Sequence, residues 1–286
     1  MSKAAKTLPT FVQISIVTPS YRNSEWLKLC VASVADQGVE LEHIIQDAGS
    51  DDGTLDWLQG DARVKAVVEK DSGMYDAVNR GLQRARGGIL GHLNCDEQYL
   101  PGTLKSVIEF FLAHPEIEVV FGDFVVVDEA GSYKFHRKVQ EPLKYHAWVC
   151  HLPTFTCATF FRRRLIEEGF LFDPKLRDVG DGEWMVRLLK RGTRMAVMRR
   201  FTSVFTMTGA NMSTGENARR EARELASTAP WWARRAKPLL VMQHRLRRWA
   251  GGIYSQSPFS YAIYTRNSPA RRVGFEVAQP QYRWAT

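Results

Sequence analysis

Residues 14–53 read ISIVTPSYRNSEWLKLCVASVADQGVELEHIIQDAGSDDG. Ile14-Ser-Ile-Val-Thr18 is a β-branched run closed by Pro19, and Trp26, Leu27, Cys30, Val31 and Val34 then recur at helical spacing. A strand followed by a helix is the simplest reading. His43–Gln46 gives a second strand with a polar turn, Asp47–Gly53, behind it. The alternation continues through Val64–Glu69, a helix from Met74 to Arg86 and a strand at Ile89–Leu93. Such alternation predicts an α/β fold with a Rossmann-like, mostly parallel central sheet and flanking helices.

Ligands of these sheets bind beyond the carboxyl ends of the strands. Pro19–Asn23, Asp47–Gly53, Lys70–Gly73 and Asn94–Glu97 are therefore expected to converge on one crevice. Three of these four clusters carry carboxylates. Like charges at short range raise one another's pKa, so a hard divalent cation with a phosphate ligand is the economical reason to gather them.

Outward from this core, the 286 residues are 44% apolar and 24% charged, which suits a folded domain and excludes disorder. The net charge of +8 is local. Residues 231–286 hold ten of the 39 basic side chains and one of the 31 acids, so residues 1–230 are close to neutral. A neutral body argues against nucleic acid, and a basic appendage suggests docking to an anionic surface. The expected division is a catalytic domain over 1–230 and a basic, Trp-rich, helical extension over 231–286.

No apolar run approaches the roughly 20 residues of a membrane span, and the N-terminus shows no secretory pattern. The four cysteines lack paired Cys-x-x-Cys spacing, so neither a zinc site nor a disulfide framework is indicated. A cytoplasmic location with reduced thiols is the expectation. The second half is less regular, with strands near 119–127 and 133–139 and a helix starting near Asp181 that carries Trp184, Met185, Leu188 and Leu189.

Taken together, Pro19-Ser-Tyr21, Asp47-Ala-Gly-Ser-Asp-Asp-Gly53, Lys70-Asp-Ser-Gly-Met-Tyr-Asp-Ala-Val-Asn79, Leu93-Asn-Cys-Asp-Glu97 with Pro101-Gly102, and Gly180-Asp-Gly-Glu-Trp184 resemble the inverting nucleotide-sugar glycosyltransferases of family 2, with the GT-A fold. The likeness runs from about Ile14 to about Ala222 and points to the subgroup that builds bacterial exopolysaccharides and surface glycans.

The resemblance implies a donor site of Pro19, Tyr21, Asp47, Lys70, Asp71, Gly73, Asp76, Asn79, Asn94 and Cys95, with Asp47 accepting a hydrogen bond from the base. It implies Mn²⁺ or Mg²⁺ on Asp96, where Asn94 departs from the family's Asp-x-Asp. Asp181 takes the place of the second acid of the family's Glu-Asp pair and would be the general base, with Gly180 in place of the first. His151, Glu183 and Trp184 would border the acceptor pocket.

Local structural tasks compete with these roles. Asp47 and Asp71 could cap turns, Asp76 and Glu183 could answer helix dipoles, and His151 could pack in a core.

The implied partners are a UDP-, GDP- or dTDP-type sugar donor and a glycan acceptor. A lipid-linked acceptor would suit Trp231, Trp232 and Trp249 lying among arginines on the inner face of a membrane. The competing reading is a non-catalytic nucleotide-sugar-binding module with a decayed site. A dinucleotide-dependent oxidoreductase is poorly supported, because the turn after the first strand lacks Gly-x-Gly-x-x-Gly.

Overall fold

A computed structural model describes residues 12–209 and 215–282. The chain opens with β1 (Ile14–Ser20), α1 (Ser24–Ala35), β2 (Leu41–Asp47), α2 (Thr54–Leu58), β3 (Lys65–Val68), α3 (Met74–Arg84) and β4 (Ile89–His92). These four strands are parallel, in the spatial order β3-β2-β1-β4. Strand β1 is buried along almost its whole length, which is why its residues read as a continuous run rather than an alternation.

Parallel pairing does not extend across the whole sheet. Beyond β4 come β5 (Gln98–Tyr99), α4 (Thr103–Ala113), β6 (Val119–Asp128), β7 (Tyr133–Arg137), α5 (Lys144–Val149), β8 (Thr159–Arg162), α6 (Arg164–Glu167), α7 (Gly180–Arg191) and β9 (Met195–Met207). The sheet continues β4-β8-β6-β9-β5, with β7 on β6. Pairings β4–β8, β8–β6, β9–β5 and β6–β7 are antiparallel, and β6–β9 is parallel. The long uniformly buried β6 is the spine of this mixed half.

The C-terminal region corrects the expectation of a helical appendage. Helices α8 (Glu216–Ser227), α9 (Trp231–Arg235) and α10 (Lys237–Ala250) are followed by an antiparallel hairpin of β10 (Phe259–Thr265) and β11 (Ser268–Val277). Along β10 the buried residues Tyr261, Ile263 and Thr265 alternate with more exposed ones, the period-two pattern of a half-buried strand. The hairpin packs Tyr261, Ile263 and Val277 into one apolar cluster with Leu100, Val125, Val127 and Val204 of the central sheet. Residues beyond the expected boundary at 230 thus share a core with the sheet.

Arg272 fastens this hairpin. Its guanidinium makes two 2.6 Å bonds to the Asp36 carboxylate at the end of α1, and donates to the carbonyls of Tyr99 and Ala262 at 2.9 Å and of Ser33 at 3.2 Å. The side chain is only 11% exposed, so water cannot replace these partners freely. Arg272→Ala is expected to lower unfolding free energy by about 3 kcal/mol, as loss of one partner of a largely buried ion pair does. Urea unfolding checks this. A midpoint within experimental error of the parent would show that the hairpin is held by its apolar face alone.

Candidate active site

The carboxyl ends of the parallel strands open on a cleft of about 640 Å³. Pro19, Ser20 and Tyr21 come from the end of β1, Lys70, Asp71 and Gly73 from the segment after β3, and Asn94, Cys95, Asp96 and Glu97 from the segment after β4. The opposite wall comes from the second half, with Phe155 and Thr156, Phe205 of β9, and Arg177, Asp178 and Asp181 at the entry to α7. Six separated segments of the sequence therefore meet, three of them at the carboxyl ends of parallel strands.

Each wall has a local cause. Tyr21 is exposed, with the Arg22 guanidinium 5.1 Å from its ring centre and Arg22 itself held by Asp51 at 2.6 and 2.7 Å. Gly73 has φ of 141°, a conformation closed to residues with a Cβ, and it turns the chain directly into α3. Cys95 donates its thiol hydrogen to the Pro19 carbonyl at 3.0 Å, tying the β4 segment to the β1 segment.

The entry to α7 is held from outside the cleft. The buried Glu221 of α8 accepts the backbone N–H groups of Arg177, Asp178 and Val179 at 2.9–3.3 Å. Nothing in the sequence flagged Glu221, because its partners lie more than forty positions away and are backbone atoms. Asp181 N–H donates to the Tyr75 hydroxyl at 3.1 Å, and Asp181 Oδ1 accepts the Gly182 N–H at 2.8 Å. A Cβ on Gly180 would stand 2.5 Å from the Tyr75 ring, so the ring occupies the space that a side chain at 180 would need.

The electrostatics are uneven. Burial pushes the Asp181 carboxyl up to about 6. Asp96 and Asp71 are also raised, each chiefly by burial. Glu97, 1% exposed beneath Asp96, is pushed up to about 8 by burial and by the charge of Asp96, against the 2.8 Å bond it accepts from the Asn94 N–H. Lys70 and Arg177 are the cations among the lining residues. Carboxyls raised together on one wall gain from a cation bound among them, so Asp96, with Glu97 behind it, fits a divalent metal.

Six expected site residues are elsewhere or otherwise engaged. Asp47 is fully buried and its two oxygens accept four bonds, from the Gly49 and Ser50 amides and the Ser20 and Ser50 hydroxyls, so it shapes the turn behind Ala48 and does not line the cleft. Asp76 is taken by Ser72 and Arg80, whose hydrogen bonds hold it below the usual carboxylate range. Asn79 exchanges two hydrogen bonds with the Phe172 backbone.

Glu183 pairs with Arg187 one helical turn on. Trp184 is 2% exposed and packs against Phe161 and Phe172, with its indole N–H on the Phe170 carbonyl, so it belongs to the core. His151 lines a second cavity next to the cleft. Phe155, Thr156, Arg177 and Phe205 were missed, since isolated residues in an irregular half carry no motif.

The profile of Glycosyl transferase family 2 matches residues 15–170. The chain is 29% identical over 184 residues to a PGL/p-HBAD biosynthesis glycosyltransferase of Mycobacterium bovis, covering 60% of this chain and 68% of that protein. It is 36% identical over 105 residues to the putative teichuronic acid biosynthesis glycosyltransferase TuaG of Bacillus subtilis, covering 35% of this chain and 42% of that protein. It spans 58% of the length of an uncharacterised Nostoc glycosyltransferase, alr2836, at 26% identity over 60% of its own.

Among solved structures, S. aureus TarS 1–349 in complex with UDP-GlcNAc superposes with a TM-score of 0.60 at 17% identity, over 84% of this chain and 73% of that one. The Pyrobaculum calidifontis mannosyltransferase PcManGT, in complex with GDP-Man and Mn²⁺, gives 0.52 at 16% identity, over 83% and 76%. At these identities the likeness is one of fold.

Proposed function

Because the chain belongs to glycosyltransferase family 2 and has its GT-A fold, we propose that it transfers a sugar from a nucleoside diphosphate donor to a glycan hydroxyl with inversion at the anomeric carbon. The observation that carries this reading is that Asp181 and Asp96 come from opposite halves of the chain to one cleft, each with its carboxyl raised by burial.

Asp181 takes the proton of the acceptor hydroxyl while that oxygen forms its bond to the anomeric carbon from the face opposite the departing diphosphate. A carboxyl near 6 is mostly ionised at neutral pH and basic enough to accept the proton. Tyr75 and Glu221 keep Asp181 in place, through its own amide and the preceding turn. Tyr21 offers a face to the base, and the α3 N-terminus behind Gly73 presents amides and the positive end of the helix dipole to phosphate. Mn²⁺ or Mg²⁺ held by Asp96 would offset the charge of the leaving diphosphate, so that no second carboxyl need protonate it.

The test is a screen of UDP-, GDP- and dTDP-sugars with Mn²⁺ for release of free nucleoside diphosphate. One donor class should turn over. Binding of nucleotide with turnover of none would make this a binding module.

The acceptor side points to a membrane surface. Leu239, Met242, Leu246 and Trp249 form one exposed stripe along α10, 53–73% exposed, with Trp231 exposed on α9. Arg234, Arg235, Arg245 and Arg247 belong to the same two helices. An apolar stripe with arginines beside it suits an anionic lipid surface, and a peripheral place on the inner face of the membrane follows for a lipid-linked acceptor. No helix among the described residues is long and apolar enough to cross a bilayer. The double variant Leu246→Glu/Trp249→Glu should float with anionic liposomes at least about tenfold less than the parent, since each residue loses burial in the interface and adds a repelled charge. Equal flotation would remove the membrane from the proposal.

A further inference from the structure

A second cavity, of about 800 Å³, lies beside the donor cleft, and Phe155 lines both. His146 of α5, His244 of α10 and His151 meet in its wall, with ring centres 4.2–5.5 Å apart. His146 is 1% exposed, and at least one of its two ring nitrogens has no hydrogen-bond partner. Arg248 also lines the cavity. Its guanidinium lies 5.0 Å from the Tyr254 ring centre and 5.9 Å from that of Tyr282, and its Nε and Nη2 are without partners. Buried polar atoms are seldom left unmatched unless water, an ion or a ligand completes them.

Three imidazoles whose ligand atoms lie within 4.8 Å of one another could suggest a transition metal. The charge of the cavity decides otherwise. Arg137, Lys138, Arg245 and Arg248 line it and, among the described residues, no carboxylate does, and that field repels a cation and attracts an anion. Burial and the neighbouring cations keep the three histidines below their ordinary range, so each enters as a neutral ring with one N–H to donate. Tyr254 and Tyr282 add aromatic rings to its wall, each with the Arg248 guanidinium over one face.

We propose that this cavity is an acceptor subsite that binds an oxyanion, phosphoryl or carboxylate, carried by the glycan that receives the sugar. The acceptor assignment rests on the transfer reading above, whereas the anion site stands on the cavity itself. An acceptor bound here would pass Phe155 to bring its hydroxyl to Asp181. The subsite selects anionic glycans over neutral ones, because a neutral sugar would leave the Arg248 nitrogens and the His146 ring unmatched.

Calorimetric titration of the whole chain tests this, with inorganic phosphate and glucuronate as separate probes. The donor cleft is kept filled by Mg²⁺ and whichever of UDP, GDP and dTDP binds. One of the two probes should bind, and its identity assigns the anion. Arg248→Gln and His151→Gln should each weaken that binding about tenfold or more, the cost of one hydrogen bond to a charged group, with nucleotide affinity unchanged. Binding of neither probe, anion binding unaltered in both variants, or tight Zn²⁺ binding in place of the anion would overturn the proposal. Donor turnover is read separately. Its absence alongside Arg248-dependent anion binding would overturn the transfer reading, and with it the acceptor role, but not the anion site.

Discussion

Asp181→Asn is expected to reduce turnover about 10²–10⁴-fold, the usual contribution of a positioned general base, while leaving nucleotide affinity close to that of the parent. The amide is nearly isosteric and can still accept the Gly182 N–H, so the turn held by Glu221 and Tyr75 should persist. The pH profile gives a second readout. The proposed base acts in its ionised form, and burial pushes the Asp181 carboxyl up to about 6. The rate should therefore be flat above that pH and fall about tenfold per unit below it. In the Asn variant the residual rate should lose this acid limb. Near-parental turnover by Asp181→Asn with nucleotide bound would end the assignment.

The second large effect concerns Asp96. Asp96→Asn should lower the metal-supported rate by about a hundredfold or more, the scale on which a bound cation stabilises departing charge. Excess chelator should do the same to the parent and little further to the variant. Stability should move the opposite way. A carboxyl whose folded pKa lies above its unfolded value stabilises the fold only when protonated, and costs stability as pH rises through that folded value. Asp96 and Glu97 are both raised, Glu97 to about 8. Without metal at neutral pH, replacing Asp96 by a neutral amide should leave the melting temperature unchanged or higher. Full activity of the parent in chelator would remove the metal from Asp96.

The parallel half of the fold was legible because buried strands and amphipathic helices alternate there at short range. The mixed half was not. Strand β8 lies between β4 and β6 although thirty residues separate it from β6 in sequence, and such pairings depend on register that a single sequence does not display. Site residues divided in a similar way. Asp96 and Asp181 end up in the cleft, where the motif resemblance put them. Asp47, Asp76, Asn79 and Trp184 belong to the same motifs yet are bonded or packed within the chain, because a motif records which residues occur together and not which way each side chain faces. Trp184 is the plainest case, since its own helical spacing with Met185 and Leu188 already placed it on the buried face of α7. The alternation along β10 is short and set among arginines, so the charge of the segment outweighs its strand pattern in sequence.

The Arg272 latch has a consequence for the order in which the molecule becomes competent during translation. Gln98 directly follows Asp96 and Glu97, and its side-chain amide donates to the Tyr264 carbonyl and accepts the Tyr264 N–H, across 166 positions of sequence. Strand β5 gains its other neighbour only from β9, through Gln98–Val204 and Tyr99–Ser203. At roughly 5–20 residues per second, the segment bearing Asp96 waits about ten to thirty seconds on the ribosome before its supports exist. A nascent chain can shape its Rossmann-like half early, yet the segment bearing Asp96 gains its last supports only once the hairpin has been made.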